Sequence, residues 1–128
     1  MNIRQAALGA AALDVGAIAV FAAIGRASHD EGILGPSGLG YLTTLWPFLA
    51  GAASGWVLAR GWRAPCDWMR TGVIVWASTL AGGMALRAAT GQGVALSFAM
   101  VAGAFLALAL LGWRAVSGAI AARRGLKG

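Results

Sequence analysis

Four apolar stretches of about 20 residues each restrict what this chain can fold into. They cover residues 5–24, 41–59, 71–89 and 94–113, and charged or turn-forming residues separate them. A helix needs about 20 mainly apolar residues to cross the hydrocarbon core of a bilayer. A soluble domain of 128 residues could not hide a composition that is 59% hydrophobic. The pattern predicts an all-α integral membrane protein, a four-helix bundle with antiparallel up-down spans that forms a single domain over residues 1–128.

The basic residues predict how the spans are oriented. Eight of the ten lysines and arginines fall in the amino terminus, the second connection and the tail, residues 114–128. Because positively charged connections stay in the cytoplasm, both termini are expected to be cytoplasmic. This topology accounts for the net charge of +6, so no nucleic-acid partner is expected. The tail itself is expected either to run as a helix along anionic headgroups or to be a disordered segment that only sets topology.

Asp14 is the residue within the spans that most needs an explanation. A carboxyl group at the centre of a bilayer costs about 2.5–3.5 kcal/mol on insertion scales. Its helical neighbours are mostly alanine, so we expect Asp14 to point into the bundle, at the depth of Ser78 and Thr79 in the third span. Two interpretations stay open. Asp14 either holds helices together through a serine or threonine, or exchanges protons or binds a cation.

Arg87 is the second charged residue of interest, near the outer end of the third span. It shares a small or polar helical stripe with Thr79 and Gly83. The side chain is expected either to extend to the outer headgroups or to face an outward-open pocket, where it would attract an anion or pair with Asp30 or Glu31. A direct pair with Asp14 would have to bridge roughly 13 Å along the bundle.

The first outer connection concentrates polar side chains that could serve chemistry. They are Arg26, Ser28, His29, Asp30 and Glu31. Histidine and carboxylates ligate metals, and histidine can shuttle protons, but three adjacent residues make a poor metal cage. A solvated helix end is the preferred interpretation. The sequence has no nucleophile–base arrangement and no zinc spacing, so we expect no catalytic residue, no metal and no cofactor.

Small residues at helical spacing indicate close helix packing. Gly51 and Gly55 form a GxxxG pair in the second span, and Gly82 and Gly83 form small-xxx-small pairs with Ser78 and Thr79. Such pairs let helix backbones approach each other closely. They could serve packing within one chain or within a homo-oligomer.

Several short motifs resemble a family of small four-span bacterial membrane proteins known as domain of unknown function 3054. The likeness is carried by residues 21–29 (FAAIGRASH), 48–51 (FLAG), 82–87 (GGMALR) and 111–114 (LGWR), and it covers all four spans. It implies a four-helix protein of the bacterial inner (plasma) membrane. The family brings no known activity, so it implies no site residues.

A mechanistic likeness to the small multidrug resistance transporters is also present. Those proteins have four short spans, dimerise and use an acidic residue in the first helix to couple protons to drug export, which Asp14 and residues 45–47 (LWP) resemble. The chain departs from them in having Asp rather than Glu, a long first outer loop and a strong charge bias.

Three functions stay open for such a chain in the lipid bilayer. The first is a small oligomeric transporter or channel with Asp14 as its ion- or proton-responsive centre. The second is an accessory subunit that packs against a larger membrane complex. The third is a membrane-embedded enzyme acting on lipid or quinone. The sequence favours the first over the second by a small margin, and no enzyme is expected.

Overall fold

The described part of the chain is almost entirely helical. The computed structural model describes residues 3–27, 40–91 and 96–127, and these residues contain no β-strand. The α-helices are α1 (Ile3–Ala27), α2 (Gly40–Ala59), α3 (Val73–Ala89), α4 (Leu96–Leu106) and α5 (Gly112–Lys127). The shorter elements are a 3₁₀ turn at Gly61–Arg63 and two π-helical segments, Trp68–Gly72 and Ala107–Leu111.

Four helical segments are long and apolar enough to cross a membrane. They are Ile3–Gly25, Tyr41–Ala59, Trp68–Ala89 and Ala99–Arg123. The prediction of an all-α bundle with four membrane helices is therefore confirmed for the described residues. The protein is a multi-pass membrane protein.

The closest packing in the bundle is between α2 and α3. A Cβ atom built on Gly82 would lie 2.9 Å from the Cα atom of Gly51, so the two backbones touch. A Cβ atom on Gly51 would lie 2.6 Å from the carbonyl oxygen of Ser78, and one on Gly55 would lie 2.9 Å from Val75. The fourth glycine, Gly83, faces the ring of Phe48 in the same way. All four glycines of the sequence motifs thus contact residues of their own chain.

Aromatic and aliphatic side chains fill the centre of the bundle. Phe21 of α1 packs edge-on against Phe48 of α2, with 5.1 Å between ring centroids, and lies 5.7 Å from Phe105 of α4. Ile18 and Leu106 are fully buried around them. The Phe21 cluster therefore joins α1, α2 and α4 in one apolar core.

The fourth helical rod consists of α4, the π-helical segment Ala107–Leu111 and α5. It is longer than the predicted fourth span. The sequence placed its end at residue 113, but the chain stays helical from Leu96 through the π-helical segment to Lys127. Arg114, which is predicted to begin a charged tail, is fully buried, and Val116 and Ile120 follow it at helical spacing. Of the two expected forms of the tail, a helix is the one the structure contains.

The α2–α3 contact predicts different outcomes for two glycine substitutions. Gly51→Ala should lower the free energy of unfolding by about 1–3 kcal/mol, because the new methyl group meets backbone atoms that cannot move aside. Gly16→Ala is the matched control, since nothing lies within 4 Å of its Cβ position, and it should be neutral or slightly stabilising. Unfolding titrations in detergent micelles measure both, and a Gly51→Ala protein as stable as the control contradicts this packing.

Candidate functional site

Asp14 forms a bidentate ion pair with Arg114 in the interior of the protein. Arg114 Nη1 donates to Asp14 Oδ1 at 2.9 Å, and Nη2 donates to Oδ2 at 2.6 Å. The two side chains are only 0% and 2% exposed. This fork-to-fork arrangement is the strongest form of an arginine–carboxylate contact. Asp14, the charged residue that the bilayer penalises, therefore has a counter-charge 100 residues away in sequence.

Two tryptophans complete the coordination of the carboxylate. Trp113 Nε1 donates to Oδ1 and Trp56 Nε1 donates to Oδ2, each at 2.9 Å. Each oxygen of Asp14 thus accepts two hydrogen bonds. A carboxylate offers about four acceptor sites, so the set is complete. We call Asp14, Trp56, Trp113 and Arg114 the Asp14 cluster.

Arg114 also fastens the cluster to the backbone of two other elements. Its Nε donates to the carbonyl oxygen of Pro65, in the connection between α2 and α3, at 2.9 Å. Its Nη1 donates to the carbonyl oxygen of Leu110, in the π-helical segment Ala107–Leu111, at 3.1 Å. The guanidinium lies 4.5 Å from the centre of the Trp113 ring, within cation–π range. One side chain therefore joins α1, the connection and the fourth rod.

Two glycines, which have no side chain, make room for the side chains of the Asp14 cluster. A Cβ atom on Gly72 would lie 2.8 Å from Leu111 Cδ2 and 3.1 Å from Arg114 Cδ. A Cβ atom on Gly61 would lie 2.5 Å from the ring of Trp56. Gly72 ends the π-helical segment Trp68–Gly72, whose first turn is capped by the Asp67 carboxylate. The glycines and the capped segment hold the connection against Arg114 and Trp56.

The cluster lies at the end where α2 meets the connection, although Asp14 itself is near the middle of α1. Trp56 is three residues from the end of α2, and Pro65 belongs to the connection that follows. The expected level with Ser78 and Thr79 is therefore wrong. Thr79 instead donates to the carbonyl oxygen of Val75 at 2.6 Å, and Ser78 packs against Gly51 and Gly55 of α2. The interpretation that Asp14 holds helices together is supported, but its partners are an arginine and two tryptophans in place of a serine or threonine.

Of the other predicted site residues, Arg87 lies far from Asp14. Arg87 is half-buried in the last turn of α3, at the end opposite to the cluster. It follows Gly72, which contacts Arg114, by 15 residues, or roughly 22 Å of helix. Arg26 belongs to the last turn of α1. Ser28, His29, Asp30 and Glu31 lie outside the described residues, and among the residues that are described no group of His, Cys, Asp and Glu could hold a metal ion.

Three members of the cluster were missed from the sequence. The sequence does not single out Trp56 or Trp113, and it assigns Arg114 to the basic tail that sets topology. The signal that could have found Arg114 is the apolar spacing of Val116 and Ile120 after it, which extends the fourth helix past residue 113. A buried carboxylate in a bundle also calls for a cation on a neighbouring helix.

The arrangement favours holding helices together over moving ions. All four acceptor sites of Asp14 are occupied by donors of the same chain, and its solvent exposure is 1%. A proton or cation could reach the carboxylate only by displacing Arg114 or an indole.

Comparison with known proteins agrees with the fold. The bundle and its buried ion pair define an integral membrane protein of four spans with an internal charge cluster. A family model described as "Protein of unknown function (DUF3054)" matches residues 11–117, and the chain belongs to this family. The matched range contains the whole Asp14 cluster. Neither the curated proteins nor the solved structures include a significant match.

The ion pair predicts a strong energetic coupling between two distant positions. Asp14→Asn should lower the free energy of unfolding by about 3–5 kcal/mol, because it leaves the Arg114 guanidinium buried without a counter-charge. Arg114→Gln should cost a similar amount. The double variant should cost clearly less than the sum, because neither charge is then stranded.

Unfolding titrations of the four proteins in one micelle measure this coupling. The control pair is Asp67→Asn with Arg70→Gln, whose side chains are exposed in the connection. Asparagine keeps the Oδ1 atom that accepts from the backbone N–H groups of Met69 and Arg70, so the cap is retained. The effects of both substitutions should be small and should add. Additive losses for Asp14→Asn and Arg114→Gln contradict the ion pair.

Proposed function

We propose that this protein is an accessory subunit that packs against a larger membrane complex. The complete internal coordination of Asp14 carries the proposal. The intramembrane carboxylate holds the protein's own helices together. The surface through which the protein acts is therefore sought on the outside of the bundle. The proposed setting is the bacterial inner membrane with both termini in the cytoplasm.

The outer face of α1 supports packing against another helix. Ala12 and Gly16 are exposed one turn apart, and nothing lies within 4 Å of the Cβ position of Gly16. Glycine in a helix interior costs about 1 kcal/mol relative to alanine. At Gly51 that cost is offset by close contact with α3, but at Gly16 the described residues offer no such contact. A helix of another membrane protein would provide it.

A crosslinking experiment tests the proposal. A photo-reactive amino acid replaces Ala12 in cells, and a second protein carries it at Val101, an exposed position of α4 that serves as control. Ala12 should capture one discrete membrane protein, which also co-purifies at a fixed ratio. Gly16→Leu, which blocks the same face, should abolish the capture. Adducts formed only between copies of this chain, or equally from both positions, overturn the proposal.

An oligomeric transporter or channel is the second candidate, and the π-helical segments favour it. Trp68–Gly72 and Ala107–Leu111 both adjoin the Asp14 cluster, and π-helical turns often lie at functional sites. Release of Arg114 from Asp14 would separate α1 from the fourth rod at the connection end. An enzyme has no support of this kind.

Flux measurements separate the two candidates. Proteoliposomes containing the wild-type protein are compared with empty vesicles and with the Asp14→Asn and Asp67→Asn proteins for proton and cation flux. The accessory role predicts no flux above empty vesicles in any of them. Flux that Asp14→Asn abolishes in a folded protein, and that Asp67→Asn leaves unchanged, establishes the transporter and contradicts the accessory role.

A further inference from the structure

A groove of about 770 Å³ runs beside the Asp14 cluster, between the first half of α1 and α5. Its α1 wall extends from Ala6 to Leu13 and its α5 wall extends from Gly112 to Ala121. Cys66, from the connection, also lines it. The walls are mainly apolar, and the volume lies within the range of about 300–1,000 Å³ that is typical of small-molecule sites.

Two glycines keep this groove open. Gly9 and Gly112 line its two walls, and nothing lies within 4 Å of the Cβ position of either residue. A Cβ atom would therefore have open space around it at both positions, as far as the described residues show. The groove is therefore open because both positions are glycine, and its shape suits a flexible apolar chain.

Positive charge gathers at the end of the groove away from the ion pair. Leu13 precedes Asp14 and Trp113 belongs to the Asp14 cluster, so Ala6 and Ala121 mark the far end. Arg123 lies beyond Ala121, follows Ile120 by three residues on the same face of α5, and is exposed. The two carboxylates that the structure describes, Asp14 and Asp67, are engaged with Arg114 and with the backbone of the connection.

We propose that this groove binds one anionic phospholipid. An acyl chain lies along the apolar walls, and the phosphate group meets Arg123 at the far end. A second copy of the chain is a poorer occupant, because a symmetric contact through this groove would bring the same arginines together. The proposal does not rest on the accessory role, because its tests measure lipid retention and the accessory role is tested by the capture of a partner protein.

Native mass spectrometry of the full chain tests the proposal. The protein is transferred from nanodiscs of mixed phosphatidylglycerol and phosphatidylcholine with identical acyl chains. The wild-type protein should retain one phosphatidylglycerol in at least ten-fold preference over phosphatidylcholine. Gly9→Leu with Gly112→Leu should reduce the retention of both lipids at least ten-fold, because the leucines occupy the groove. Arg123→Gln should abolish the preference for the anionic lipid.

Two matched variants serve as controls. Gly118→Leu adds the same side chain to α5 at a glycine that also has open space but does not line the groove. Arg70→Gln removes an exposed arginine from the α2–α3 connection. Both should retain phosphatidylglycerol like the wild type. Equal retention of the two lipids by the wild-type protein overturns the proposal. It is also overturned if Gly9→Leu with Gly112→Leu changes the oligomeric mass but leaves lipid retention unchanged.

A measurement on the unmodified protein avoids any effect of substitution on folding. Cys66 is the one cysteine of the chain and lines the groove, so a bound lipid should shield it from alkylation. Alkylation by a maleimide should be several-fold slower in phosphatidylglycerol nanodiscs than in phosphatidylcholine nanodiscs. Equal rates overturn the proposal.

Discussion

The bidentate ion pair between Asp14 and Arg114 is the contact on which the rest of the structure depends. A lone charge in an apolar bundle carries a large desolvation cost, and a partner with matched geometry offsets much of it. Here the pair is completed by two indole donors, so that each carboxylate oxygen accepts two hydrogen bonds. The pair fixes α1 to the fourth rod, and through Pro65 it fixes both to the α2–α3 connection.

Much of the local structure follows from bringing those groups together. Gly72 has no side chain where Leu111 and Arg114 pass, and Gly61 has none where the Trp56 ring lies. The π-helical segment Ala107–Leu111 precedes Arg114 directly, and its Leu110 carbonyl accepts from the guanidinium. Beyond the cluster α1 and α5 run on together, and the apolar groove lies between them. The groove and the ion pair are thus consequences of one arrangement.

The spans could be predicted from the sequence because hydropathy and length alone determine whether a helix crosses a bilayer. The inward direction of Asp14 could also be predicted, because its helical neighbours are small and the bilayer penalises its charge. The partner of Asp14 could not be predicted. Arg114 is 100 residues away, and its contact with Asp14 depends on how far the fourth helix runs and how the rods are offset along the bundle.

The error in depth has the same origin. Counting residues from the ends of aligned, equal spans placed Asp14 beside Ser78 and Thr79. The actual offset is set by side-chain contacts such as Phe21 with Phe48, which place Asp14 near Trp56 at the end of α2. The burial of Arg114 could not be predicted for a related reason, because the positive-inside rule counts an arginine near a span end as a topology signal without asking whether it is buried. For the charged residues of such a protein, the offsets between helices along the bundle determine which residues come into contact.

The most direct measurement is a solid-state NMR distance in bilayers between the Asp14 carboxyl carbon and the Arg114 guanidinium nitrogens. Labelled aspartate and arginine supply the nuclei, and the Asp14→Asn protein identifies the signal. The account predicts a strong dipolar contact from Asp14 to both Nη atoms, with further contacts to the indole nitrogens of Trp56 and Trp113. A carboxyl group that shows contacts only to water, Ser78 or Thr79 would contradict it.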